Sequence, residues 1–192
     1  MFAKTAFVFA SLAFAGAATA AEFFAQARAG IASIDHFRLD DDEPAGQILV
    51  GARWGHFGVE AGYLQTQRFT DHFVSERLAN FAIDYADRID GFFVGLNARC
   101  MFGGGPWHAT GRVGAMHWSM EYDAVPSRSF PASDYDASDT DLYVGAGIGR
   151  DFGDHFSVGV ALDYFRLDGE DDELVYIDAS MRAWSLTLEY RF

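Results

Sequence analysis

Three groups of side chains in this sequence could do chemistry. The first is His155-Phe156-Ser157, a His-x-Ser pair with Asp163 further along the same segment. Period-two alternation puts His155 and Ser157 on one face, where an imidazole could take the proton from a serine nucleophile. The acid is too far to complete a triad: Asp163 lies six residues beyond Ser157, about 20 Å at ~3.3 Å per extended residue. The "HFSV" of His155–Val158 is also echoed by "HFGV" at His56–Val59, and each opens a segment after a tight turn. The pair therefore reads as turn-to-strand chemistry. The remaining histidines, His36, His72, His108 and His117, do not have the spacing of a metal-ligand set.

The second group is a set of charges scattered singly through otherwise apolar or small-residue segments: Arg28, Arg53, Glu60, Arg99, Arg112, Asp163 and Glu189. The third is acidic and clustered: Asp40, Asp41, Asp42 and Glu43; Asp134, Asp136, Asp139 and Asp141; Asp168, Glu170, Asp171, Asp172 and Glu173. Carboxylates are hard oxygen ligands suited to Ca²⁺ or Mg²⁺, but the spacing is not that of an EF-hand, so any cation site would be diffuse. With 28 acidic against 14 basic residues and a net charge of -14, the chain does not have the basic patches of a nucleic-acid binder. Its one cysteine, Cys100, allows no intramolecular disulfide.

What must position these residues is a series of strands. Eight segments alternate with period two. In "EFFAQARAGIA", Phe23, Ala25, Ala27, Ala29 and Ile31 oppose Gln26, Arg28 and Gly30; in "GQILVGARWG", Ile48, Val50, Ala52 and Trp54 oppose Gln47, Gly51 and Arg53. The same rhythm runs through "FGVEAGYLQTQ", "DGFFVGLNARCMF", "PWHATGRVGAMHW", "DLYVGAGIGRDF", "HFSVGVALDYF" and the closing "AWSLTLEYRF". Short turns at Gly55-His56, Gly103–Gly105 and Gly153-Asp154 alternate with long polar connections at 33–45, 68–88, 119–140 and 167–176. The 68–88 stretch is readable either as a short helix, from Leu78, Phe81, Ala82 and Tyr85, or as the flanking strands running on. The first twenty residues, with Lys4, an apolar run and Ala18-Thr19-Ala20, have the form of a cleaved signal peptide. This leaves 21–192 as one barrel domain.

On every strand the apolar face is the continuous one, and the charges sit on the face rich in glycine. A water-soluble barrel of lipocalin type would expose Val, Leu and Phe all round. A membrane barrel inverts the faces, apolar to lipid and polar to the lumen. Aromatics near strand ends (Trp54, Phe57, Tyr63, Trp107, Trp118, Tyr164, Trp184 and Tyr190) suit the membrane–water interfaces. The expected fold is all-β: an eight-stranded antiparallel transmembrane β-barrel with short periplasmic turns and long extracellular loops. Eight strands enclose a lumen only just wide enough for side chains. The seven scattered charges are therefore expected to pair there as a structural polar network, with the partners left open.

With these features the sequence resembles the OmpA-like and OmpX-like small outer-membrane barrels, over its whole mature length. Its final "LTLEYRF" resembles the signal read by the outer-membrane assembly machinery, carried by Trp184, Leu186, Leu188, Tyr190 and Phe192. The resemblance implies a bacterial outer-membrane protein of structural or surface-interaction role, in envelope integrity or adhesion. Implied partners are outer-membrane lipid and lipopolysaccharide, the assembly machinery and an extracellular partner at the acidic loops; no cofactor is implied. No periplasmic peptidoglycan-binding segment follows Phe192, so an anchoring role is not expected. The alternatives are a narrow pore and an outer-leaflet lipid A-modifying enzyme. The enzyme is disfavoured because His155 and Ser157 follow a short turn and so fall at the periplasmic end.

Overall fold

The computed structural model describes residues 20–36, 39–75, 81–125, 133–170 and 176–192. The expected signal peptide, apart from Ala20, lies outside these residues. The chain forms nine β segments: β1 (Glu22–His36), β2 (Leu39–Trp54), β3 (Phe57–Thr66), β4 (Phe69–Ser75), β5 (Phe81–Phe102), β6 (Trp107–Val125), β7 (Ser133–Phe152), β8 (Phe156–Glu170) and β9 (Tyr176–Arg191). All pairings are antiparallel, in the order β3-β2-β1-β9-β8-β7-β6-β5-β4, and a further β3–β5 pairing closes the sheet. Segments β3 and β4 are one stave, since both pair with β5. The result is a closed eight-stranded barrel.

The interruption in that stave is a one-residue bulge. Gln65 faces Asp90 while Phe69 faces Asp87, so four steps on one side oppose three on the other. A bulge of this kind inverts the alternation beyond it. Thr66 and Phe69 therefore both point inward and are buried, while Arg68 is exposed. The broken ladder is repaired locally: the Thr66 hydroxyl accepts from the Ile89 N–H at 3.1 Å and donates to the Ile89 carbonyl at 3.2 Å. Without it, both backbone groups would lie unpaired in a dry layer.

Three short turns join β2–β3, β5–β6 and β7–β8, each with glycine in the left-handed region: Gly55, Gly103, Gly104 and Gly153 have φ between 62° and 72°. Both ends of the barrel domain lie at this end as well, and Phe192 N–H bonds the Phe23 carbonyl at 3.0 Å. At the other end the strands run much further than the sequence suggested. Of the connections expected at 33–45, 68–88, 119–140 and 167–176, all but Arg68 and the stretches 37–38, 76–80, 126–132 and 171–175 are strand, and those four stretches lie outside the described residues. Cross-strand pairing above the lipid overrides the polar composition that made these stretches look like loops. The 68–88 stretch is likewise extended where described, with Phe81, Ala82 and Tyr85 in β5; Leu78 lies outside.

The faces divide as the alternation required. Large apolar side chains stand outward all round the barrel, among them Leu142 at 67% exposure and Phe192 at 73%. At the turn end they are rimmed by Trp54, Phe57, Trp107, Phe152, Phe156 and Tyr190. Tyr63 packs on Phe92 in an upper belt (centroids 4.8 Å) that also includes Tyr164 and Trp184. Trp184 and Phe192 are eight residues apart, about 26 Å along a tilted strand. That is the scale of an outer-membrane apolar band.

Trp118 departs from the expectation. It is fully buried inside the barrel, not at an interface. Its indole N–H donates to Asp141 at 2.9 Å, and the same carboxylate accepts from Asp168 N–H at 2.7 Å. Gly169 leaves room for the ring, because a Cβ there would come within 3.0 Å of it. A buried indole with its N–H satisfied is stable in a core.

Candidate functional site: the barrel lumen

Each strand feeds its minority face into the lumen, and the structure brings the seven scattered charges together there. Arg28, Arg53, Glu60, Arg99, Arg112, Asp163 and Glu189 are all buried, one from each stave except β7. They form two layers.

The lower layer centres on Glu189. Arg53 grips it with two parallel bonds, Nη1 to Oε1 at 2.8 Å and Nη2 to Oε2 at 2.6 Å. Such a fork is the strongest form of charge-assisted hydrogen bond between side chains. The Arg53 Nε donates to Asn97 Oδ1 at 3.1 Å, and its guanidinium lies 3.8 Å from the centre of the Phe24 ring. Arg99 adds a weaker contact to Glu189 at 3.5 Å and bonds Asp151. Asp151 also meets Arg191 at 3.4 Å and His108 at 3.3 Å.

The upper polar layer centres on Asp163. Arg28 Nη1 donates to its Oδ2 at 2.9 Å, Gln47 Nε2 donates to the same oxygen at 3.1 Å, and Arg112 Nε stands 3.1 Å from Oδ1. Arg112 is also 3.5 Å from Glu60, which accepts from the Tyr143 hydroxyl at 2.8 Å. Phe93 and Tyr143 each hold a ring 5.0 Å from the Arg112 guanidinium carbon. Gln26 joins the layers, accepting from Arg28 at 2.6 Å and donating to Glu189 at 3.4 Å. Gly145 makes this possible: a Cβ there would overlap the Asp163 carboxylate.

Sequence reasoning missed Asp151, Arg191, His108, Gln47 and Tyr143. The signal was available for Asp151 and Arg191, which share strand parity with Gly149 and Glu189 respectively. Both lie at strand ends. It also missed the third layer. Above the polar layers the lumen turns apolar, with Ile34, Leu64, Phe69, Ile89, Met116, Trp118, Met120, Phe165, Leu167 and Met181 forming one buried cluster. The expectation of a polar lumen holds for the lower and middle barrel and is corrected at the top. There the strands stand above the lipid, and the barrel packs like a soluble β domain with its apolar residues inside.

The turns tie the lower layer to the backbone. His56 and His155 accept through their carbonyls from Arg99 and Arg191 N–H, both at 2.7 Å, and their Nδ1 atoms lie 3.1 and 2.8 Å from the carbonyls of the same arginines. In the β5–β6 turn the Pro106 carbonyl accepts from Asp151 N–H at 2.8 Å. The "HFGV"/"HFSV" echo is thus a repeated clip that sets the height of two lumen arginines. It separates the candidate nucleophile from its base: His155 is exposed in a turn, whereas Ser157 is buried in the lumen. Asp163 is engaged by Arg28 and Arg112. Among the described residues no group of His, Cys, Asp and Glu could hold a metal ion.

The five residues at the end of the chain form one outward row. Trp184, Leu186, Leu188, Tyr190 and Phe192 are all exposed on the lipid side. Tyr190 packs edge-on to Phe192 and Phe156, with centroids at 5.0 and 4.9 Å.

Comparison with known proteins agrees with this architecture. The family model described as "Outer membrane protein beta-barrel domain" matches residues 5–192. Among solved structures, Neisserial surface protein A superposes with a TM-score of 0.68 at 11% identity, covering 91% of this chain and 100% of that one. Ail, the attachment invasion locus protein of Yersinia pestis, solved with the heparin analogue sucrose octasulfate, gives 0.57 at 19% identity, with 91% and 100% covered. OprG from Pseudomonas aeruginosa gives 0.53 at 13% identity, with 90% and 96% covered. At these identities the likeness is one of fold. No curated protein matches the chain in sequence.

Proposed function

Because this chain belongs to the outer membrane protein beta-barrel family and resides in the bacterial outer membrane, we propose that it acts as a plugged surface barrel. On this reading it is a non-conducting, non-enzymatic pillar that holds its upper strands outside the cell, serving envelope integrity or adhesion. The observation that carries this is the filled lumen: among the described residues, two ion-paired layers lie below and an apolar cluster lies above them. Such packing supplies no continuous aqueous path for a pore. The separation of His155 from Ser157 supplies no hydrolytic site.

The upper strands give the surface its chemistry. Register sets Asp123 opposite Asp134, and Glu121 opposite Asp136 on one side and Arg88 on the other, while Asp35 and Asp168, which face Asp40 and Asp178, also meet Arg182 and Arg166. Like charges directly across a sheet repel. This rim therefore favours a counter-charge, either a basic patch on an extracellular partner or the divalent cations that bridge neighbouring lipopolysaccharide. A polyanion such as the one solved with Ail suits it poorly. Calorimetry with Ca²⁺ on the refolded barrel should show heat that is lost when the facing aspartates are changed to asparagine. Indistinguishable heats for the two would leave the rim as solvated surface.

The outward row ending in Phe192 serves, on this reading, as the tag for the assembly machinery. Phe192→Asp should lower the amount of heat-modifiable barrel in outer membranes, whereas wild-type levels would remove the idea. The plug itself is tested by planar-bilayer recording of the refolded chain, with little or no current expected. A stable, reproducible open channel in the nanosiemens range would overturn it in favour of a pore.

A further inference from the structure

The lower ion layer holds one titratable side chain that the plugged-lumen reading does not use. His108, the second residue of β6, is buried among guanidiniums. Arg99 Nη2 lies 3.0 Å from its Nδ1. A guanidinium can only donate, so Nδ1 offers its lone pair and the ring proton sits on Nε2. The imidazole is held here as a neutral acceptor. Its Nε2 edge fills the space left by Gly149, where a Cβ would come within 2.5 Å of that nitrogen.

The charged groups around the ring are already engaged with one another. On β5, Arg99 also bonds Asp151, reaches Glu189 only at 3.5 Å, and has its Nε buried without a partner. On β7, Asp151 Oδ1 is 3.3 Å from His108 Nδ1 and 3.4 Å from Arg191 Nη2. On β9 stand Glu189 and Arg191, and on β2 stands Arg53, which grips Glu189 and meets the half-exposed Glu22 of β1 at 3.7 Å. The inward residues of β8 and β3 at this level, Ser157 and Gly58, carry no charge. In the turns below, the Nδ1 atoms of His56 and His155 face the carbonyls of Arg99 and Arg191. Arg53, Arg99 and Arg191 thus face Glu22, Asp151 and Glu189, and the charges balance only while the imidazole is neutral.

A proton on Nδ1 upsets this arrangement in two ways. It turns the acceptor of Arg99 into a donor aimed at Arg99, and it sets a fourth cation against three carboxylates where water cannot solvate it. Asp151 Oδ1 can take the new N–H only by sharing it with Arg99 and Arg191. We propose that His108 is an acid-sensitive latch on the turn-end half of the plug: neutral, it holds Arg99 and closes the lower ion layer; protonated, it drives Arg99 off and lets that layer open. The layer around Asp163 is built of Arg28, Gln47, Glu60, Arg112 and Tyr143. It holds no histidine and stays closed. The inference rests on the filled-lumen reading and names the group through which pH acts on it. A missing pH effect in a barrel that carries no current would remove the latch and leave the plug standing.

Urea unfolding of the refolded full chain in detergent, at pH values of about 7.5 and about 5.5, tests it. Heat-modifiable migration verifies the fold of each variant. An unfolded chain takes up the imidazole proton near pH ~6.5, so stability that depends on a neutral ring is full above that pH and is lost as pH falls through it. Over this interval the unfolding equilibrium constant of the wild type should rise more than that of His108→Gln, by at least about threefold and at most about tenfold. The glutamine amide oxygen still accepts from Arg99 but takes no proton. His56→Gln/His155→Gln should keep the wild-type pH dependence, because those rings are exposed in the turns. Hydrogen exchange, corrected for its intrinsic pH dependence, should quicken in acid for wild-type peptides containing Arg99 and Asp151, and not for those containing Phe165 and Leu167. Equal pH dependence in the wild type and His108→Gln would overturn the proposal. So would loss of that dependence in the His56/His155 variant, or acid exchange that quickens equally in the upper cluster.

Discussion

The structure depends on the burial of charge in a space too narrow for water to solvate it. Five arginines, Arg28, Arg53, Arg99, Arg112 and Arg191, enter the lumen against four carboxylates, Glu60, Asp151, Asp163 and Glu189. An unpaired charge in such a place is very costly, and removing one partner of a buried pair is strongly destabilising. Each stave is therefore held in register by what its inward side chain must meet. Arg53 on β2 must reach Glu189 on β9, and Arg28 on β1 must reach Asp163 on β8. These bonds span strands that are not neighbours in the sheet. They fix the shape of the closed barrel and not merely its ladders, and glycines such as Gly145 are the space they need.

Period-two alternation made most of this legible in the sequence. A strand that faces lipid on one side and a packed lumen on the other has to alternate, and a side-chain period of two leaves no freedom about which residues share a face. Arg28, Arg53, Glu60, Arg99, Arg112, Asp163 and Glu189 could therefore be assigned to the lumen without coordinates. Their partners could not be, because pairing depends on the stagger between strands, which no single strand's pattern encodes. Trp118 was misplaced for a related reason. Above the lipid the rule relating face to polarity reverses, and an indole there is core, not interface. The bulge at Gln67–Arg68 was invisible because it changes parity within a stretch already polar, and only the β5 register reveals it.

The change of rule along the barrel axis also explains how one chain serves two surroundings. Below the upper aromatic belt the outside is apolar and the inside charged. Above it the inside is apolar and the acidic residues crowd the strands, while the β5–β6, β6–β7 and β8–β9 ladders run on and the β7–β8 ladder ends at Tyr143↔Phe165. The extracellular part is thus a continuation of the membrane-embedded sheet, stiffened by the same pairing.

The dependence of the fold on buried ion pairing is tested most directly by a double-mutant cycle on Arg53 and Glu189. Unfolding free energies would be measured in urea for the refolded wild type, Arg53→Met, Glu189→Gln and the double variant. Because the pair is bidentate and buried, the account predicts a coupling energy of about 2 kcal/mol or more, with each single variant costing more than half as much as the double. A coupling energy below about 0.5 kcal/mol would contradict it, since the lumen charges would then be carried by the barrel and not holding it together.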